Sequence, residues 1–351
     1  MNPNFKVSIV AIATAFLASA GQAQISPPQQ TAKEQPAASK DGSLARLVLL
    51  GTGGGPIVRV KRSQPSNLLV INGTVYLIDV GVGTLGRLAA AGYQPAEVDQ
   101  VFITHHHLDH DGGLADLMAF SCVTGRNNRV TVTGPYGTDD MVKAARAYLK
   151  VPLRTFTEQR ISPGCDPETA FASTTVSAPG KVFSDSNVTV YAAENTHYSQ
   201  FPAGSNTADK SYSYRFDTVA GSIVFSGDTG PSSAVAALAK GADVLVIEVI
   251  DEDATMTALL NKNKMLSSNP AQAAALREHM AKEHLAPEEI GKMAAAAGVK
   301  TVVLTHAVPG LDDEVTAAAY VKGIDTYFHG SIYAGRDLDE FFLPQFQGQA
   351  R

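Results

Sequence analysis

The stretch Thr104-His105-His106-His107-Leu108-Asp109-His110-Asp111-Gly112 puts four of the chain's nine histidines and two carboxylates on one short loop. A polar loop with a chance histidine cluster is the bland alternative, and crowding four of nine imidazoles into six positions weighs against it. Residues 100–104 read as a buried strand, and residues 113–118 read as the start of a helix. Ligands on this loop would therefore stand where a rigid strand ends. In H-x-H-x-D-H order, His105 and His107 alternate to one side and can share one cation, while Asp109 and His110 turn toward a second. His106 points away by the same alternation. Imidazole nitrogen and carboxylate oxygen suit zinc, and they also suit manganese or iron.

Three more candidates follow downstream, each at the end of an apolar strand, where a preformed metal site needs its ligands. His197 follows the alternating run 188–191, Asp228 ends the run 223–229, and His306 ends the run 302–306. Alone, His197 or His306 would read as a packed or solvated histidine. In this order after the histidine loop, the set resembles the metallo-β-lactamase superfamily. The resemblance extends from about Leu44 to the C-terminus and is closest to the ribonuclease Z-like arylsulfatase group. It rests on residues 50–56 (Leu-Gly-Thr-Gly-Gly-Gly-Pro), 224–231 (Val-Phe-Ser-Gly-Asp-Thr-Gly-Pro) and 287–306. It implies an α/β fold, a four-layer αββα sandwich with metals at one edge. It also implies His105, His107 and His197 on one metal, Asp109, His110 and His306 on the other, and Asp228 between them.

Two divalent ions held that way would lower the pKa of a bridging water and polarise the substrate oxygen they touch. Asp109 and His284 are the candidate catalytic residues. His284 stands just ahead of a helix, at a place where the resembling proteins carry a histidine beside the metals that does not ligate them; it would protonate the leaving group. Asp79 also ends a strand and is a candidate for orienting a ligand imidazole. Glu248 ends a strand with a structural contact equally open to it. His279 and His329 read as solvated.

The bulk composition sets the expected partners. A formal charge of −6 over 351 residues, with no dense Lys or Arg run, disfavours a nucleic-acid backbone as main partner. Ribonuclease Z carries a tRNA-gripping arm between its third histidine and bridging aspartate, and here only 228 − 197 = 31 residues separate His197 from Asp228. The expectation is thus a metal-dependent hydrolase of small esters, aryl sulfates first. Phosphodiesters, lactones or β-lactams are alternatives, as is a periplasmic protein that binds metal without turnover. Two zinc ions are the expected cofactors, a homodimer is possible, and neither nucleic acid nor a membrane anchor is expected.

Residues 1–23 carry Asn4 and Lys6, an apolar run from Val7 to Ala20, and the small residues Gly21 and Ala23, a signal-peptide pattern with cleavage after Ala23. Export to a periplasm or beyond follows as an expectation. Residues 24–43 read as a disordered leader and 44–351 as one hydrolase domain. Cys122 and Cys165 leave two readings open, a disulfide across a long loop or a buried free thiol. The glycine turn 51–55 lacks the Lys-Ser or Lys-Thr of a phosphate loop and reads instead as a turn that lets backbone pass close to the metals. Asn72-Gly73 between two apolar runs predicts a hairpin. Residues 151–183, weakly periodic and rich in Pro and Gly, are expected to form loops over the site.

Overall fold

Alternation along each strand decides which layer its side chains enter. In the computed structural model, residues 45–55, 57–162, 164–201, 204–206, 208–310, 314–343 and 347–349 are described. The expected signal peptide and leader lie outside the described residues. One sheet has the strand order β15-β14-β1-β2-β3-β4-β5-β6. Its members are β1 (Ala45–Gly51), β2 (Ser66–Ile71), β3 (Thr74–Ile78), β4 (Gln100–Phe102), β5 (Val130–Gly134), β6 (Phe171–Thr175), β14 (Glu340–Leu343) and β15 (Gln347–Gln349). The second sheet runs β13-β12-β11-β10-β9-β8-β7. It is built from β7 (Gly180–Ser184), β8 (Val188–Glu194), β9 (Tyr212–Thr218), β10 (Gly221–Phe225), β11 (Val244–Ile250), β12 (Thr301–Val308) and β13 (Ser331–Ala334).

Leu47, Leu49, Leu69, Ile71, Tyr76 and Ile78 face inward to meet Val188, Val190, Phe216, Ile223 and Phe225 of the opposing sheet. The intervening residues Val48, Leu50, Leu68, Val70, Val75 and Leu77 face outward onto the helices Leu114–Val123 and Thr138–Glu158. Across the molecule, Val224, Leu245, Ile247, Val302 and Leu304 pack against the helices Ser233–Leu238, Pro287–Ala297 and Glu314–Asp325. Strands buried on both faces must be apolar at nearly every position, and β11 and β12 are buried throughout. The result is the four-layer αββα sandwich that the resemblance implies. At its centre Phe102 meets Phe216, Tyr214 and Phe183 edge to face at 5.1–5.7 Å.

The predicted hairpin is present: β2 and β3 pair antiparallel, with Asn72 and Gly73 both at positive φ. The expectation of loops over the site across residues 151–183 is wrong. The helix Thr138–Glu158 runs straight through Pro152, a short helix Pro167–Ala170 follows, and β6 and β7 form the outer strands of the two sheets. Pro152 withholds one helical hydrogen bond, but Leu149 and Leu153 on either side are buried in the outer core and hold the helix together. As sheet-edge strands, β6 and β7 are only partly covered and lack the apolar run that marks an interior strand. Of the two cysteine readings, the structure has the disulfide Cys122–Cys165, closing a loop of 43 residues. No helix among the described residues is long and apolar enough to cross a membrane.

β3, β4 and β5 run parallel in one sheet and β10, β11 and β12 in the other. Asp79, the histidine loop, Asp228, Glu248 and His306 all emerge at or near the carboxyl ends of these strands, where open α/β sheets bind ligands.

Candidate metal centre

Two hydrogen bonds between the sheets fix the histidine loop before any ligand is considered. The Tyr212 amide donates to the Thr104 carbonyl at 2.9 Å, and the Tyr214 hydroxyl donates to the Ile103 carbonyl at 2.8 Å. From that anchored strand end, His105 and His107 turn to one side. The short helix Leu108–Asp111, an element not expected inside the loop, turns Asp109 and His110 to the other.

The seven sequence candidates gather into two clusters that share Asp228. His105, His107, His197 and Asp228 offer donor atoms within 4.8 Å of one another, as do Asp109, His110 and His306. His197 Nε2 faces His107 Nδ1 at 3.1 Å and Asp228 Oδ2 at 3.7 Å. On the other side His306 Nε2 lies 3.3 Å from Asp109 Oδ2 and 3.1 Å from Asp228 Oδ2, and His110 Nε2 lies 3.2 Å from Asp228 Oδ1. Donors about 2.0–2.1 Å from one tetrahedral ion would stand roughly 3.3 Å apart, so the spacings suit a cation in each cluster. His105 Nε2 is buried with no hydrogen-bond partner among the described residues, which is costly unless something else binds it.

The surrounding shell sets which imidazole nitrogen is bare. Asp79 Oδ1 accepts from the Thr104 amide at 2.7 Å, and its Oδ2 accepts from the Thr104 hydroxyl at 2.9 Å and from His110 Nδ1 at 2.8 Å. Because the Thr104 hydroxyl spends its proton on Asp79, it accepts from His105 Nδ1 at 3.0 Å. His197 Nδ1 donates to the Glu283 carbonyl at 3.0 Å. In all three rings the proton is held on Nδ1 and Nε2 faces inward.

Local backbone geometry delivers these groups. Asp79 and His306 both sit in the left-handed region, at φ 60° and 41°, a conformation that costs about 1–3 kcal/mol and persists where the surroundings impose it. The register between β11 and β12 shifts at His306, which is the bulged residue between Thr305 and Ala307, and a bulge re-aims a side chain. The glycine turn passes as close as expected: the Gly55 amide donates to Asp109 Oδ2 at 2.8 Å, and a Cβ on Gly54 would stand 2.7 Å from the His306 ring.

His284 is in neither donor cluster, yet its ring centroid lies 4.8 Å from that of His197 and 6.1 Å from that of His306. Its Nδ1 donates to Glu248 Oε2 at 2.6 Å, and Glu248 Oε1 accepts from the Thr229 amide at 2.5 Å. Burial pushes the Glu248 carboxyl upward. Burial opposes the charged form of His284, but the Glu248 charge and hydrogen bond outweigh it and hold the imidazole above its usual range. His106 pairs with Asp111 Oδ2 at 2.9 Å and Thr138 Oγ1 at 3.2 Å. His329 is exposed. His279 is half-exposed, with its Nδ1 against the buried Glu283 carboxylate. Glu283 itself went unread in the sequence because its contribution to His197 is a main-chain carbonyl, which any residue could supply.

Residues 74–307 match the family described as Beta-lactamase superfamily domain. The chain is 30% identical over 271 residues to ribonuclease Z of Mycobacterium avium (strain 104), covering 76% of this chain and 88% of that protein. Against ribonuclease Z of Mycobacterium marinum it is 30% identical over 305 residues, covering 84% and 97%. Human tRNase Z, short form, has the same fold with a TM-score of 0.54 at 19% identity, over 85% of this chain and 98% of that one.

These relatives overturn two expectations. Hydrolysis of aryl sulfates or other small esters by an exported enzyme, and the absence of a nucleic-acid partner, do not stand beside relatives named ribonuclease Z. The charge of −6 failed as a guide because it averages the whole surface, whereas two cations in a buried centre can meet a phosphate without a basic face. The short His197–Asp228 interval does not keep the chain from spanning 97% of the length of the Mycobacterium marinum ribonuclease Z. The chain belongs to the metallo-β-lactamase superfamily, in its ribonuclease Z-like branch of metal-dependent hydrolases.

Proposed function

We propose that the two clusters hold two divalent cations and that the chain hydrolyses RNA phosphodiesters. His105, His107 and His197 would hold one ion, Asp109, His110 and His306 the other, and Asp228 would reach both. Zinc suits a donor set of five imidazoles and two carboxylates, with manganese or iron able to replace it. When bound, such a pair supplies Lewis acidity and a water of lowered pKa.

The protein's own part is positioning and proton transfer. Asp79, Thr104 and the Glu283 carbonyl engage Nδ1 of His110, His105 and His197 and so aim Nε2 inward. Asp109, held by the Gly55 amide, would take the proton that an attacking water loses. His284, kept protonated by Glu248, donates to the leaving ribose oxygen as the P–O bond breaks. That imidazole is the observation that carries the reading. A ribose alkoxide is a poor leaving group and needs an acid, whereas a phenolate leaves readily without one.

The test is cleavage of a 3′-extended tRNA transcript and an unstructured RNA by zinc-loaded protein. Wild type should cut, and His284→Ala should lower kcat by about 10²–10⁴ while retaining its zinc. Intact RNA in both wild-type reactions would overturn the reading.

Removal of residues 1–23 as a signal peptide is a separate proposal, independent of the substrate. It is supported by the sequence pattern of that segment and by the Cys122–Cys165 disulfide, a bond that persists in oxidising compartments. Intact-mass measurement of the mature protein tests it: a chain beginning at Gln24 supports it, and one retaining the segment overturns it.

A further inference from the structure

A stack of three rings leads from the centre to solvent. The Tyr198 ring lies against the His197 ring, with centroids 5.4 Å apart and planes at 28°; Phe201 lies against Tyr198 at 4.6 Å and 22°. Tyr198 also stands 5.4 Å from the His107 ring and 5.8 Å from the His105 ring. Phe201, the outermost, is 43% exposed, and neither Tyr198 nor Phe201 belongs to the apolar cores formed among the described residues. Phe201 packs on Tyr198 and leaves part of its apolar ring open beside the polar site.

The loop that carries the rings is held from below. The Ser199 amide closes a turn onto the Thr196 carbonyl at 3.0 Å, and the buried Glu283 carboxylate accepts from the Gln200 amide at 2.5 Å. Glu283 therefore ties the loop with its side chain and His197 with its carbonyl, which fixes the rings in relation to the centre.

We propose that Phe201, backed by Tyr198, is a stacking shelf for the nucleobase next to the scissile phosphate. This rests on the RNA reading above. A nucleobase offers a flat π-face of matching size whatever its identity, so the shelf would position an RNA strand without selecting its sequence. Backed by a second ring and a tethered loop, it is ordered before the ligand arrives, which limits the entropy lost on binding.

Two measurements test the shelf, one of them independent of cleavage. In the first, zinc-loaded protein is titrated with 2-aminopurine riboside 5′-monophosphate, which has no diester to cut. Stacking should quench its fluorescence, and Phe201→Ala and Phe201→Leu should raise the dissociation constant about tenfold, while Phe201→Trp restores it. In the second, short RNAs with and without a base beside the cleaved bond are compared. Wild type should show a KM about tenfold lower for the base-bearing RNA, and Phe201→Ala should erase that difference chiefly through KM. No quench in wild type, or a Phe201→Leu protein that binds like wild type, overturns the shelf. RNA left uncut while the mononucleotide is still quenched through Phe201 overturns the RNA reading and leaves the shelf supported.

Discussion

The two donor clusters, a few ångströms apart, are held by opposite kinds of neighbour. His105 and His197 give their Nδ1 protons to uncharged acceptors, a hydroxyl and a main-chain carbonyl. His110 gives its proton to the carboxylate of Asp79, and His306 has Glu248 within 3.8 Å. Electrostatics follow this difference. Burial pushes the imidazoles of His105, His107 and His197 below their usual range, with neighbouring histidines adding to the effect on each. For His110 and His306 burial acts the same way, yet the surrounding carboxylates outweigh it, and His306 is pushed up to about 10. One position is a neutral imidazole cradle and the other is a carboxylate-rich one. Two ions in these positions would therefore meet unequal surroundings, and Asp228, touching both clusters, is where the inequality meets.

The largest effect should come from removing the shared residue. Asp228→Ala leaves neither cluster complete, and zinc content by mass spectrometry should fall for both positions, with kcat/KM down by roughly 10³ or more. Retention of two tightly held ions in that variant would break the comparison. Next comes the carboxylate side alone. Asp79→Asn removes the charge that holds His110 Nδ1, and calorimetric titration should show the second ion weakened about 10–100-fold with the first much less affected. Gly55→Ala should act on the same side, because a Cβ there would run into the Asp109 carboxylate, and it too should spare the first ion. Equal loss at both positions in either variant would mean that the clusters are not separable.

How much of this could be read from the sequence follows from where each signal lies. The histidine loop, His197, Asp228 and His306 were legible because each stands at the end of an apolar strand, and the order of residue types is dense in the first loop. The resemblance carried by that loop and by residues 50–56 and 224–231 made the sandwich legible as well. Residues 151–183 were not, because Pro152 inside a continuing helix and two half-exposed edge strands send the signals of a loop. The groups that orient the ligands were partly hidden: Asp79 ends a strand, but the Glu283 carbonyl has no side-chain signature and Thr104 was read only as strand. Tyr198 and Phe201 were passed over because an aromatic after a ligand histidine has no periodicity to mark it. The substrate was misread for a chemical reason. The donor set that activates water is indifferent to the bond attacked, and the net charge of the chain says nothing about a buried centre.

The smallest expected effect is the sharpest probe of the uncharged side. Glu283 meets His197 through its backbone and the Gln200 loop through its buried carboxylate. Glu283→Gln keeps the carbonyl and deletes only the charge. Its amide oxygen can still accept from the Gln200 N–H, but the bond loses its charge assistance and the His279 ring loses the carboxylate beside it. If the first cluster is set by neutral contacts, its zinc affinity should change by less than about threefold, within the 0.5–1.5 kcal/mol of one ordinary hydrogen bond. The loop should loosen instead, seen as faster amide exchange at Ser199 and Gln200. A drop in first-ion affinity as large as the one Asp79→Asn causes at the second would show that a carboxylate governs both positions, and the contrast between neutral and charged cradles would be lost.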